Sequence, residues 1–201
     1  MPITAREDLQ LGRACVAYNA QVMLSSKTIE SLSDLQDQIL ARVKSPLWKC
    51  PPASLHVSIT PFLGVRTEYA QPKETLWEEN RRRWTQALKE SVHGIRNWTL
   101  CFRNIRITNT AVIVVAEDGE STNSIRRQLA LQESQDWNLV HTTIFRFASN
   151  YVMPEIDEIT IGAQRVDIEQ RVKEIVILKE RVYPSIDCEV LERIAIKSDD
   201  A

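Results

Sequence analysis

Of the three histidines in the chain, two keep matching company. In "SLHVSIT" His56 stands two residues before Ser58, and in "LVHTTIFRF" His141 stands two residues before Thr143. Both runs read as strands, being short, apolar and rich in β-branched residues. Side chains alternate across a strand, so His56 and Ser58 share one face about 6–7 Å apart while Val57 and Ile59 take the other. In the second run His141, Thr143 and Phe145 share a face, and Val140, Thr142 and Ile144 turn away from it. Each strand thus presents an imidazole and a hydroxyl side by side.

Two imidazoles facing each other across a groove suit displacement at phosphorus without a metal. One, neutral, takes a proton from an attacking hydroxyl or water. The other, protonated, gives one to the departing oxygen. An unperturbed pKa of about 6.5 lets histidine serve in either form near neutrality. The Ser58 and Thr143 hydroxyls can donate to the non-bridging oxygens, where charge builds up. No carboxylate or thiolate cluster accompanies them, so no metal ion and no other cofactor is expected. A lone strand histidine is usually a structural residue; the functional reading rests on the pair.

The pairing matters because the elements around it repeat. Residues 14 to 24 read as a strand, followed by a helix over 25 to 45 with Ile29, Leu32, Leu35, Ile39, Leu40 and Val43 on one stripe. Pro46 and then Pro51-Pro52 end that helix in a loop before the His56 strand. A second helix runs over 72 to 92, with Glu74, Glu78 and Glu79 in its early turns. "NWTLCFRNIRIT" and "TAVIVVAED" make a strand pair, a third helix follows over 121 to 133, and the His141 strand mirrors the His56 strand. After Met153-Pro154 comes a short helix, then two strands joined by "YPSID". Strand–helix–strand appears twice, each copy ending in a histidine. That pattern predicts one α+β domain of two similar lobes.

The motifs resemble those of a known family. "HVSITPFLG" and "HTTIFRF" are similar to the twin H-x-[ST]-h motifs of the 2H phosphoesterase superfamily. Within it they are nearest the bacterial RNA 2′,3′-cyclic phosphodiesterases once named 2′-5′ RNA ligases. The likeness covers residues 12 to 197 and leaves 1–11 and 198–201 as tails. It implies a bilobal fold with two antiparallel sheets lining a central cleft and helices outside. It implies His56 and His141 as the catalytic pair, Ser58 and Thr143 as phosphate ligands, and no metal. The implied activity is hydrolysis of a 2′,3′-cyclic phosphate on an RNA end or a nucleotide, leaving a 2′-phosphate. Two rivals are cleavage of 2′,5′-linked oligoadenylate or cyclic signalling nucleotides, and a nucleotide-binding module without turnover. Ser58 stands where this subgroup usually has Thr. Arg146 falls in the family's arginine place, but strict alternation sets it opposite His141, so a cleft role requires the strand to end or bend.

Other residues divide between chemistry and packing. Arg66, just past the first motif, falls near the cleft mouth, and Tyr18 offers either a base-stacking ring or a core side chain. Trp77 and Trp84, seven apart on one helix, read as core, Arg81 to Arg83 as a solvated face, and His93 as a helix C-cap. The net charge of −2 argues against coating of long nucleic acid and leaves room for a small anion held by a few arginines. The widely spaced Cys15, Cys50, Cys101 and Cys188 form no CxxC pair and read as reduced thiols. With no apolar leader and no run of about 20 apolar residues, the expectation is a cytoplasmic monomer without a membrane partner.

Overall fold

A computed structural model of the chain describes residues 3–129 and 139–197. Strand β1 (Thr4–Ala5) is followed by β2 (Ala14–Met23), helix α1 (Ser26–Leu40) and the short β3 (Leu47–Lys49). Strand β4 (His56–Leu63) leads into α2 (Lys73–Val92) and the strands β5 (Thr99–Ile107) and β6 (Ala111–Glu117). Helix α3 (Ser121–Leu129), β7 (His141–Phe147), β8 (Tyr151–Val152) and α4 (Glu155–Gly162) come next. Strands β9 (Ile168–Arg171), β10 (Glu174–Val182) and β11 (Asp187–Ala195) follow.

Local chemistry accounts for the element ends. Ser25 caps α1, its hydroxyl accepting the Thr28 N–H at 3.2 Å. The helix ends at Leu40, the N–H groups of Ala41 to Val43 still bond back into it, and the two donors after them are claimed from elsewhere. The buried Asp157 carboxylate of α4 accepts the N–H of Lys44 at 3.1 Å and that of Ser45 at 2.8 Å, with the Ser45 hydroxyl at 2.7 Å.

The strands form an antiparallel four-stranded sheet, β11-β10-β2-β4, and an antiparallel five-stranded sheet, β3-β7-β6-β5-β9. Each repeat, β2-α1-β4 and β6-α3-β7, ends with its two strands hydrogen-bonded to each other. Helix α2 covers the outer face of the four-stranded sheet with Trp77, Trp84 and Leu88, all buried. Helices α1 and α4 pack on the five-stranded sheet. The result is the expected α+β arrangement: two antiparallel sheets with helices outside and the β4 and β7 strands meeting at the centre. No helix among the described residues is long and apolar enough to cross a membrane.

Three expectations need correcting. The expected tail over 1–11 is tied into the fold from Thr4 on: β1 pairs with β8, the Asp8 N–H bonds to the Phe147 carbonyl at 3.0 Å, and the Asp8 side chain is buried. The stretch between Pro46 and Pro51 is not all loop, because β3 pairs with β7 over Phe145 to Phe147. The strand β9, unmarked by any strong alternation, extends β5. The expected end of the third helix, 130–133, and the tail 198–201 lie outside the described residues.

Candidate active site

The two histidine strands carry the same irregularity in the same place. Along β4, Ser58 lies opposite Gln21 of β2 but Thr60 lies opposite Ala20, so Ile59 is an inserted residue. Along β7, Thr143 lies opposite Ile113 of β6 but Phe145 lies opposite Val112, so Ile144 is inserted. A bulge of one residue reverses the facing of everything after it. His141 and Thr143 face the cleft, Ile144 and Phe145 both turn into the core, and Arg146 returns to the cleft. In the other copy His56 and Ser58 face the cleft, Ile59 is buried, and Pro61 returns. The bend that a cleft role for Arg146 required is this bulge.

Each bulge is held by a polar side chain from a helix of the opposite repeat. The fully buried Gln36 of α1 donates to the Ile144 carbonyl at 2.6 Å and to the Cys50 carbonyl at 2.9 Å. The Ile144 carbonyl also accepts the Cys50 N–H at 3.1 Å. At β4, Arg126 of α3 donates to the Ser58 carbonyl at 2.8 Å and to the Ile59 carbonyl at 2.9 Å. These bonds satisfy carbonyls that the broken ladders leave over.

The imidazoles are fixed alike. Nδ1 of His56 lies 2.8 Å from the Ser54 carbonyl and Nδ1 of His141 lies 3.3 Å from the Leu139 carbonyl, in each case two residues upstream. A carbonyl only accepts, so Nδ1 carries the proton and Nε2 is left for chemistry. Nε2 of His56 is 3.1 Å from Ser58 Oγ, which donates to it when the ring is neutral. Burial, with the nearby Arg146 and His141, pushes His56 down to about 4 against the raising pull of the Ser54 carbonyl. His141 is lowered as well, by burial first and then by Arg126 and Arg146, against the Leu139 carbonyl.

Both histidines open onto one cavity of about 440 Å³, which also takes in Ser58, Thr143, Arg66, Arg126 and Arg146. The buried Asp8 carboxylate gathers two of the arginines, Arg66 at 2.7 Å on one oxygen and Arg146 at 2.8 Å on the other. The Tyr183 ring lies under both guanidinium groups, 5.6 Å from Arg66 and 5.0 Å from Arg146, and burial pushes its hydroxyl up to about 12. Also lining the cavity, the buried Glu180 accepts from Asn19 at 3.0 Å and from the Ser185 N–H, while Gln21 donates to the Ser185 hydroxyl at 3.0 Å. Burial raises the Glu180 carboxyl, against the lowering of those two donors.

The structure therefore brings together His56, His141, Ser58, Thr143, Arg66 and Arg146, and leaves out Tyr18. Asn19 and Gln21 of β2 face the cavity, so alternation sends Tyr18 to the opposite face. There it stacks on Trp77 with ring centres 4.5 Å apart and is 3% exposed. Trp77 and Trp84 are core residues as expected, and Arg81 pairs at 3.2 Å with Glu78 on an exposed helix face. His93 is the exposed C-cap residue of α2. Sequence reasoning missed Asp8, which lay in an assumed tail, and Arg126, Glu180 and Tyr183, which carry no motif. The one available signal was the local chemistry of "YPSID" and its upstream Glu180, a turn closing on a buried acid.

No protein-family model and no curated protein matches the chain. Solved structures do. TT0787 of Thermus thermophilus superposes with a TM-score of 0.61 at 14% identity, over 91% of this chain and 99% of that one. E. coli LigT complexed with 3′-AMP gives 0.58 at 13% identity over 90% and 98%. The MHV ns2 PDE domain gives 0.54 at 13% identity over 82% and 98%. At these identities the likeness is one of fold, and it is the fold that the two histidine motifs implied.

Proposed function

We propose that the protein is a phosphodiesterase that hydrolyses 2′,3′-cyclic phosphate on RNA ends or nucleotides, leaving a 2′-phosphate, by acid–base catalysis between two histidines. One observation carries this reading: two imidazoles on separate strands, each with Nδ1 committed to a backbone carbonyl, open with Nε2 available onto one cavity. The fold likeness to LigT, crystallised with 3′-AMP, ATP and NADP+, supports a nucleotide as the ligand. A cavity of about 440 Å³ lies in the range of small-molecule sites, which favours entry of a terminal nucleotide over a length of RNA.

In this mechanism His141 takes the proton of the attacking water and His56 protonates the leaving ribose oxygen, an order that rests on the family resemblance. The phosphate binds between the Ser58 and Thr143 hydroxyls, beside Arg146 and Arg66. In the free protein both rings favour the neutral form, which suits the base but not the acid. Ser58 has one hydroxyl proton. When the hydroxyl turns to a phosphoryl oxygen it releases Nε2 of His56, and the phosphate anion raises that ring's pKa so that it takes up a proton. The chemistry rests on imidazoles, and among the described residues no three His, Cys, Asp or Glu side chains gather as metal ligands do.

The purified protein should be screened in EDTA against 2′,3′-cyclic AMP, 3′,5′-cyclic AMP and 2′,5′-linked diadenosine. Turnover of the first to a 2′-phosphate is expected. Preference for either of the others moves the protein to the rival substrates, and binding without turnover makes it a binding module.

A further inference from the structure

Arg126 belongs to neither histidine motif, yet it touches the backbone behind both. Its Nε donates to the Ile59 carbonyl at 2.9 Å and its Nη2 to the Ser58 carbonyl at 2.8 Å, at the β4 bulge just past His56. Its Nη1 reaches Asn123 Oδ1 at 3.1 Å and the Leu139 carbonyl at 3.4 Å. The Leu139 carbonyl is the one on which His141 rests its Nδ1. One rigid planar fork thus spans from the strand that carries His56 to the carbonyl that orients His141. The fork reaches from one sheet to the other, because α3 packs against β4 of the four-stranded sheet while Leu139 leads into β7 of the five-stranded one.

We propose that Arg126 is a positioning residue that sets the separation and aim of the two imidazoles. This inference rests on the phosphodiesterase reading for its kinetic consequence but not for its structural one. The planar guanidinium offers five N–H donors in a fixed geometry, and four of its bonds here go to protein oxygens. Lysine keeps the charge but gathers its donors on a single nitrogen at the end of a flexible stem, so it loses the fixed planar spread of the fork. Glutamine loses the charge and the fork together. A misplacement of about 1 Å in a two-group acid–base site costs on the order of 10²-fold in rate.

Arg126 also acts on titration by its charge. Among the described residues, the charged and titratable groups that act on His141 are Arg126 from α3, Arg146 from β7 and His56 from β4. Removal of the α3 cation takes away one of the influences that hold His141 neutral, so its pKa rises. Arg126 faces Asp118 at the start of its own helix, and that acid remains in every variant.

The test compares Arg126→Lys and Arg126→Gln with the wild type, reading kcat and KM for 2′,3′-cyclic AMP and the His141 titration by NMR without ligand. Both variants should lose roughly 10–100-fold in kcat with KM nearly unchanged, because the fork binds backbone and not substrate. Only the glutamine variant should move His141, upward, since only it loses the charge. Near wild-type kcat in Arg126→Lys, or a rise in KM matching the fall in kcat, would make Arg126 a substrate-binding cation and overturn the proposal. The NMR arm needs no turnover. A wild type without diesterase activity therefore counts against the proposed function, and a His141 titration unmoved in Arg126→Gln counts against this inference.

Discussion

His56 is held neutral by its surroundings, so acid should cost the fold stability that a non-titrating residue in the same place would not lose. The structure sets the magnitude. An open imidazole titrates near 6.5, and burial beside Arg146 and His141 lowers His56 to about 4. Between those values the unfolded chain binds a proton and the folded chain does not, so stability falls as pH drops. The full gap corresponds to roughly 3 kcal/mol, and the portion lost between about pH 7 and about pH 4.5 is about 2 kcal/mol. Glu180 works in the other direction: its carboxyl is raised in the fold, so the folded state gains relative stability as acid protonates it. Urea unfolding of the wild type alone would mix the two. The comparison is therefore with His56→Asn, whose amide can still donate to the Ser54 carbonyl but carries no titrating group. The wild type should lose about 2 kcal/mol more than the variant over that pH interval. Equal losses would mean that His56 titrates as an open ring, and the desolvated site described above would be wrong.

The two histidines should fail as a unit: His56→Ala or His141→Ala should each lower kcat by roughly 10²–10⁴, and the double variant by far less than the product. Steady-state rates with 2′,3′-cyclic AMP would show this, and multiplicative losses would separate the two roles. Gln36→Met should remove the amide that donates to the Cys50 and Ile144 carbonyls. A stability loss of about 1–3 kcal/mol is expected in urea unfolding, since both carbonyls lose their side-chain donor and only that of Ile144 keeps a backbone one, the Cys50 N–H.

How far the sequence could be read turns on the bulges. Alternation alone placed His56 with Ser58 and His141 with Thr143, and the structure agrees because each bulge comes after the hydroxyl residue. It put Phe145 beside His141 and Arg146 on the far face, and both were reversed by one inserted residue that no periodicity marks. What fixes the insertion is tertiary: Gln36 and Cys50, 108 positions and nearly as far up the chain, supply donors to Ile144. A local pattern cannot show a strand bending toward donors that arrive from so far along the chain. Asp8 escaped for a related reason. An acid beside Glu7 in a polar opening stretch looks like solvent-exposed chain until β1 pairs with β8 and carries Asp8 between Arg66 and Arg146. Tyr18 shows the converse, since its neighbours Asn19 and Gln21 are polar residues within an otherwise apolar strand. They mark which face of β2 meets the cleft, and by their parity alone the ring belonged with Trp77 in the core. The catalytic reading was accessible because it depended on side-chain types at offset two, inside the regular part of each strand. The residues that aim those side chains lie on other elements, and only the fold brings Arg126 within reach of both histidine strands.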